Sequence, residues 1–436
     1  MHWLALLCPT TASPDEAAAA AAQLPALGWL ALHFSPRVAR LEEAVVLEVG
    51  ASLRLFRGVR ALHQRLRSEA QAAGLAPGPM AWASTSLAAL ALARAGVAST
   101  PRSLNQALAE RLAPLPLDVL SAARPHRPML ARMGCNTLAD LRRLPRLALA
   151  RRFGPALLTA LDQAYGDAPE AHEWLVLPDR FEARLELPWR VEDAPALGRF
   201  AEQLLQQLCA WLAARHAGIR QLRLAWAHDA MRARGSGGGG HLDLATTDAT
   251  RSFHHLSRLL AEHLAHQALA APAGELRLSV DQVLPLAEPS ASLLPGAAEQ
   301  ERESLHQLAE RITARLGPGS VRVCRLREDH RLEGMQEWQP WPGVPSKAPA
   351  RLPPGPQPSW LVDPPEPLPM SAQEQPLCDG PLKIVAGPHR IESGWWDGQR
   401  HTRDYYVAES SRRGLLWIYR ERLPARGGWF LHGIFG

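Results

Sequence analysis

The stretch LEEAVVLEVG (Leu41–Gly50) places Glu42, Glu43 and Glu48 on or beside one expected strand. Carboxylates on two adjacent strands can clamp divalent ions for a reaction, since these hard cations demand oxygen ligands. The same residues serve equally well as the solvated or ion-paired edge of a sheet. Strand geometry separates them, because side chains alternate faces and Glu48 stands at an odd offset from Glu43. The two therefore point to opposite sides. Solvation or ion pairing is the expected role, with no metal and no cofactor.

Phosphate binding is the second chemistry the residues could perform. All but two of the 48 basic residues are arginine, the exceptions being Lys347 and Lys383. Residues 37–153 hold 18 arginines against seven acids, a local charge of +11 in a chain whose total is +5. Such a block is the footprint of a phosphate-binding surface, or else a solvated arginine-rich face. Its densest part is MLARMGCNTLADLRRLPRLALARRFGPALL, which reads as two successive helix–hairpin–helix units. Tight turns fall at Gly134–Thr137 and near Phe153–Gly154–Pro155, with Thr137 as an N-cap and Pro155 in a first helical turn. Turns of this kind aim backbone N–H groups at a phosphate without reading bases. The candidate contacts are Arg132, Gly134, Asn136, Thr137, Arg142, Arg143, Arg151, Arg152 and Gly154.

Other constellations carry less. HHLSRLLAEHLAH (His254–His266) sets His263 and His266 three residues apart, a possible metal pair. No third ligand is evident, so titrating imidazoles on an exposed helix are expected. The run GSGGGG (Gly235–Gly240) lacks the Lys-Ser/Thr of a phosphate loop and reads as a flexible hairpin tip. Five scattered cysteines, none in a CxxC pair, fit reduced thiols in a cytoplasm. No apolar run suffices to cross a bilayer, and the first residues read poorly as a signal peptide.

These residues need elements to position them, and the pattern predicts an α+β multidomain chain. Residues 1–99 read as a small α/β unit: an apolar run at His2–Cys8, an alanine-rich helix at Ala17–Leu24, and Ala44–Phe56 as a strand pair or strand and turn. A helix over Val59–Ala73, a strand at Pro79–Ser84 and a helix at Leu87–Ala95 complete it. Residues 100–175 are helical. Residues 176–335 read β-α-β-β-α-β, a ferredoxin-like split unit, then a helix (Glu299–Leu316) and a strand (Val321–Arg327). Arg220, Arg223, Arg232 and Arg234 near its strands and tip are further candidate phosphate contacts. Residues 336–379 form a proline-rich linker. Residues 380–436 form a small β module rich in Trp and Tyr, whose candidate partner-binding residues are Trp395, Trp396, Arg403, Tyr405, Tyr406, Trp417, Tyr419, Trp429 and Phe430. About half of these rings are expected in the core, since so small a unit needs them.

The whole pattern resembles the Y-family translesion DNA polymerases, and more closely their divergent ImuB-type relatives. AVVLEVGASLRLFRG (Ala44–Gly58) looks like the palm strand and following turn, and WASTSLAALALARAG (Trp82–Gly96) like the second palm stretch. The paired hairpins look like the thumb and the β-α-β-β-α-β unit like the little finger. The segment from Gly387 to Gly436 is very similar to the tail of ImuB-type proteins, which ordinary family members lack.

The resemblance implies a non-catalytic organiser of damage-induced, error-prone translesion synthesis (the mutasome) in the cytoplasm. It also implies primer–template or damaged DNA, an error-prone C-family polymerase, a RecA-like accessory protein and the sliding clamp as partners. For the clamp this sequence offers no good Gln-led peptide. In active relatives the first palm strand supplies one acid and the second an Asp-Glu pair. Here Leu7 or Cys8 stands at the first position, and the pair falls on Glu43 and Ala44. The short span between these strands is far too brief for the family's fingers subdomain. Two rivals stay open: a weakly active polymerase, and a protein adaptor without DNA binding.

Overall fold

The computed structural model describes residues 2–8, 21–97, 106–228, 237–286, 305–327, 329–343, 357–396, 398, 400–423 and 427–436. The chain divides into two compact units, Met1–Arg315 and Leu316–Gly436. Among the described residues no helix is long and apolar enough to cross a membrane.

The first unit begins with strands β1 (Trp3–Leu7), β2 (Val38–Leu41), β3 (Ala44–Glu48) and β4 (Met80–Ala83). They pair antiparallel in the order β2-β3-β1-β4. Every residue of β1 is buried, because both faces of this sheet are covered. Alternation sends Leu4, Leu6, Val45, Leu47 and Trp82 against helices α1 (Leu24–Leu32) and α2 (Val59–Ala72). The other face offers Ala5, Ala39, Ala44, Ala81 and Ala83, small residues that let the alanine-rich α3 (Ser86–Arg94) lie close. Half of the expected helix at Ala17–Leu24 (residues 17–20) falls outside the described residues. Among the described residues of this connection the helix is α1. Pro25 suits its first turn, and Leu24, Leu27 and Leu30 are buried.

The helical region follows as α4 (Leu108–Leu112), two 3-10 segments (Leu117–Val119 and Ser121–His126), α5 (Arg127–Arg132), α6 (Leu138–Arg143), α7 (Arg146–Phe153) and α8 (Pro155–Tyr165). Its Leu130, Leu138, Leu141, Leu149, Phe153, Leu157 and Leu161 join the core on the alanine face of the sheet. The chain then crosses back over that sheet. Glu170 accepts hydrogen bonds from the backbone N–H groups of Ser86 and Leu87, both at 2.8 Å, at the start of α3. Trp174 bridges Ala39 of β2, and Leu175 N–H donates to the Val38 carbonyl at 2.8 Å.

The second sheet contains β5 (Glu182–Val191), β6 (Ala217–His228), β7 (Gly239–Thr250) and β8 (Ala273–Ser279), with α9 (Ala194–Ala214) after β5 and α10 (Phe253–Ala265) after β7. The strands run antiparallel in the order β5-β8-β6-β7. Each β-α-β pair is thus parallel and split by one inserted strand. A short β9 (Leu284–Pro285) pairs with the start of β6. The long α9 is buried on its apolar face and packs on both α1 and this sheet, so the two sheets share one core. Helix α11 (Leu305–Leu316) closes the unit.

In the second unit β10 (Arg322–Leu326) and β11 (Gln336–Pro340) form a hairpin. Five strands, β12 (Trp360–Leu368), β13 (Lys383–Ser393), β14 (His401–Ser410), β15 (Gly414–Glu421) and β16 (Gly428–Ile434), form an antiparallel sheet ordered β12-β16-β15-β14-β13. This corrects the expected boundaries at 336–379 and 380–436. β12 lies inside the expected linker, and Leu332 packs on the sheet with Tyr405, Trp417 and Tyr419. Its prolines are tolerated because an edge strand leaves one side without ladder bonds, and the register shifts between Leu361 and Glu366, where Pro364 and Pro365 lie.

Candidate functional site

The three carboxylates do not share a strand face. Leu41 pairs with Ala44, so Glu42 and Glu43 are the two turn residues of the β2–β3 hairpin. Glu42 has φ of 53°, a left-handed conformation that such turns usually give to Gly, Asn or Asp. A glutamate there carries strain on the order of 1 kcal/mol. Glu48 ends β3 and turns back to accept the Gly50 N–H at 3.0 Å.

Arg94, from the last turn of α3, occupies the place between the two turn acids. Its Nε and Nη2 donate to the Glu43 carboxylate at 2.7 and 2.8 Å, Nη2 also reaches Glu42, and Nη1 donates to the Val119 carbonyl at 2.6 Å. Ser121 Oγ completes the cluster on Glu42, and Arg124 approaches Glu43 at 3.9 Å. The Arg94 side chain is 6% exposed, whereas those of Glu42 and Glu43 are 36% and 47% exposed. Burial pushes Glu43 up, and the Arg94 hydrogen bonds outweigh it to hold the carboxyl below its usual range. Burial likewise opposes the charge on Arg94, and its bonds to Glu43 and Glu42 outweigh it, leaving the guanidinium above its usual value.

Among the described residues around this cluster the side chains suit no magnesium ion. Leu7 lies opposite Ala44 across β1 and β3. Burial, opposed by Arg40 and aided by Glu43, pushes the Cys8 thiol up to about 11. A protonated thiol, a methyl group and a fixed guanidinium offer none of the hard oxygen ligands that magnesium requires. The carboxylates hold an arginine, and through it the hairpin is tied to the 3-10 segments of the helical region.

The helix–hairpin–helix turns differ in what they leave free. Gly134 (φ 80°) and Gly154 (φ 89°) take the left-handed conformations that the turns demand. At the first turn Thr137 caps α6 in a reciprocal box with Asp140. The Asp140 carboxylate also accepts the Asn136 N–H at 3.2 Å and the Thr137 N–H at 3.1 Å, so an acid already holds the donors expected for phosphate. Bonds from Thr137 and Asn136 hold its carboxyl below the usual range. Arg142 pairs with Asp167 at 3.4 Å and lies over the Tyr165 ring, Arg143 pairs with Asp140 at 3.6 Å, and Arg146 clasps Asp162 at 2.8 and 2.6 Å. Arg132, Arg151 and Arg152 are exposed and have no ion pair among the described residues. The second turn, with Gly154 and the start of α8, therefore keeps two free cations, Arg151 and Arg152, and Arg132 stands before the first.

On the second sheet the open face is balanced. Arg223 sits directly across from Asp243 and clasps it at 2.6 and 2.8 Å. Arg277 and Arg184 both pair with Glu182, at 2.5 and 3.1 Å. Among the described residues Arg184, Arg223 and Arg277 share this face with Glu182, Glu186, Glu275 and Asp243, so these three add no surplus of positive charge. Arg220 is exposed; Arg232 and Arg234 lie outside the described residues. The histidine helix departs from the expectation of a solvated row. His255 is buried and meets Glu310 of α11 at 2.7 Å, while His263 Nδ1 lies 2.9 Å from the Leu259 carbonyl.

In the second unit most candidate partner residues turn inward. Tyr405, Trp417, Tyr419, Trp429 and Arg403 are buried, and Tyr406 and Phe430 are partly so. Tyr405 stacks on Trp417 at 4.0 Å between ring centres. Arg403 lies over the Tyr419 ring, donates to Glu333 at 2.8 Å and to the Tyr405 hydroxyl at 3.2 Å, and that hydroxyl meets His432 Nδ1 at 2.9 Å. Trp395 and Trp396, 76% and 54% exposed, remain on the surface after β13.

No family model matches the chain. It is similar to Protein ImuB of Caulobacter vibrioides, from strain NA1000 / CB15N and from strain ATCC 19089 / CIP 103742 / CB 15. Each is 28% identical over 471 residues, covering 99% of this chain and 97% of the relative. Among solved structures, a DinB family error-prone DNA polymerase from Sulfolobus solfataricus aligns at 12% identity and a TM-score of 0.32. That alignment covers 66% of this chain and 100% of the other. A Dbh ternary complex aligns at 13% identity and a TM-score of 0.27, over 59% and 78% of the two chains.

Proposed function

From the premise that this chain is an ImuB-type, Y-family-polymerase-like protein, we propose that it is a non-catalytic, DNA-binding scaffold of damage-induced, error-prone synthesis. The observation that carries the reading is Arg94. A guanidinium satisfies Glu42 and Glu43 together, while Leu7, Cys8 and Ala44 fill the positions where acids would be needed. Nucleotidyl transfer needs paired divalent ions in an oxygen cage, and these side chains cannot build one. The helical region acts as the thumb, with Arg132, Arg151, Arg152 and the Gly154 turn meeting phosphates. The second sheet serves as the little finger and contributes less, since Arg184, Arg223 and Arg277 are already paired. The C-terminal unit recruits an error-prone C-family polymerase, a RecA-like accessory protein and the sliding clamp. Primer extension tests the catalytic half: no incorporation is expected with magnesium and all four deoxynucleotides. Incorporation that disappears in Glu43→Ala overturns the reading.

A second reading, a protein adaptor that does not bind DNA, is favoured by Asp140 at the first hairpin and by the balanced little-finger face. Titration of a labelled primer–template at several salt concentrations separates the two. The scaffold reading requires binding at low salt that falls steeply as salt rises; no binding at low salt supports the adaptor.

A further inference from the structure

Four arginines stand apart from every site described above. Arg54 and Arg57 lie in the turn after β3, and Arg60 and Arg67 lie on α2; all four are exposed. Among the described residues none of them has an ion-pair or hydrogen-bond partner for its guanidinium. Elsewhere in this unit arginines such as Arg94, Arg146 and Arg223 are clasped by acids, so the contrast is local. Between Arg54 and Arg57 the side chain of Leu55 is 79% exposed, although its neighbours Leu53 and Phe56 pack on the core. Arg60 and Arg67 are seven residues apart, and two helical turns place them on one outward stripe about 10 Å in length. Leu62, Leu66 and Ala70 form the opposite, buried face of α2.

The position of the stripe excludes the thumb's ligand. Helix α2 covers the leucine-rich face of the first sheet, and the helical region covers the alanine face. A duplex held by Arg151 and Arg152 therefore lies on the other side of the sheet. An exposed leucine among arginines also has no use for a phosphate backbone, whereas an acidic segment with an apolar side chain complements both features. We infer that the Leu55–Arg67 surface docks an acidic amphipathic segment of a partner protein, with Leu55 packing on its apolar side chain and Arg54, Arg57, Arg60 and Arg67 pairing its carboxylates.

The test uses the full chain and fluorescence anisotropy. The probes are a labelled Glu/Leu peptide with helical spacing, a Glu/Ser peptide of equal charge, and a 20-base-pair duplex. The Glu/Leu peptide is expected to bind about tenfold tighter than the Glu/Ser peptide, a difference of about 1.4 kcal/mol. Leu55→Asp should abolish that preference, and Arg60→Glu with Arg67→Glu should weaken both peptides. Arg151→Ala with Arg152→Ala should leave peptide binding unchanged. The inference is overturned if the leucines bring no preference, if Leu55→Asp and the charge reversals leave peptide binding intact, or if the reversals weaken only the duplex, which would make this a nucleic-acid surface. Unchanged circular dichroism of the variants excludes misfolding as the cause of a loss.

Discussion

Neutralising the two turn acids should destabilise this protein, and the sign of that effect distinguishes an arginine clasp from an abandoned metal site. In Glu42→Gln with Glu43→Gln the guanidinium of Arg94, 6% exposed, keeps the Val119 carbonyl and loses every anion. Stranding a guanidinium so deeply buried costs about 2–3 kcal/mol, less than for a fully buried pair because the two acids are partly exposed. The converse variant, Arg94→Met, leaves two carboxylates that are 36% and 47% exposed and can hydrate. Its cost should be smaller, about 1–2 kcal/mol after allowance for solvent screening. Acids gathered to hold an ion would behave the opposite way, because adjacent like charges repel without the ion and neutralisation relieves them. Urea unfolding followed by circular dichroism measures both variants. A double glutamine variant as stable as the parent, or more so, refutes the clasp. The pH dependence has a fixed sign as well. Since Glu43 is held below its unfolded value, its contribution is full above about pH 4.3 and is lost as the pH falls through the folded pKa.

Arg151→Ala with Arg152→Ala should weaken duplex binding equally for all sequences and lower the salt slope by about 2; an altered sequence preference would contradict phosphate contacts. Asp140→Ala should destabilise α6 through loss of the capping box and should tighten DNA binding by freeing the Asn136 and Thr137 amides. Unchanged affinity would remove the first hairpin from the DNA surface. A fragment spanning 316–436 should fold, whereas 370–436, without Glu333, Leu332 and β12, should give no dispersed amide spectrum; a folded shorter fragment refutes the assigned boundary. Burial holds His432 down at about 4, so the unfolded chain takes up a proton first and this unit should lose stability between pH 6.5 and 4. A flat stability profile across that window would count against the buried His432–Tyr405 arrangement.

Local rules made much of this legible. Alternation placed β5 to β8 and α9, and Thr137 announced the capped start of α6. The acids' partner was hidden because Arg94 lies 51 residues from Glu43, and nothing local marks an arginine as the occupant of a carboxylate pair. The hairpin itself was obscured by its Glu-Glu turn, where a glycine or asparagine is the usual signal. β12 was read as linker because prolines argue against a strand, a rule that weakens at a sheet edge. The pairing of Arg223 with Asp243 needed the register of β6 and β7, which depends on the whole sheet. Buried aromatics in the last unit fared better. A small module has few other means of building a core, and four of the eight candidate rings indeed lie inside it.

The strap from Glu170 to Leu177 has no slack. It is pinned to the start of α3 at one end and hydrogen-bonded along β2 at the other, with Leu175 pressed so near Gly28 that a Cβ there would come within 2.6 Å. Most connections between lobes tolerate an added or lost residue, but this one is laid in strand register. A single insertion before Trp174 would turn the indole toward Gly28 and expel the leucine, so chain length here is as constrained as any core side chain.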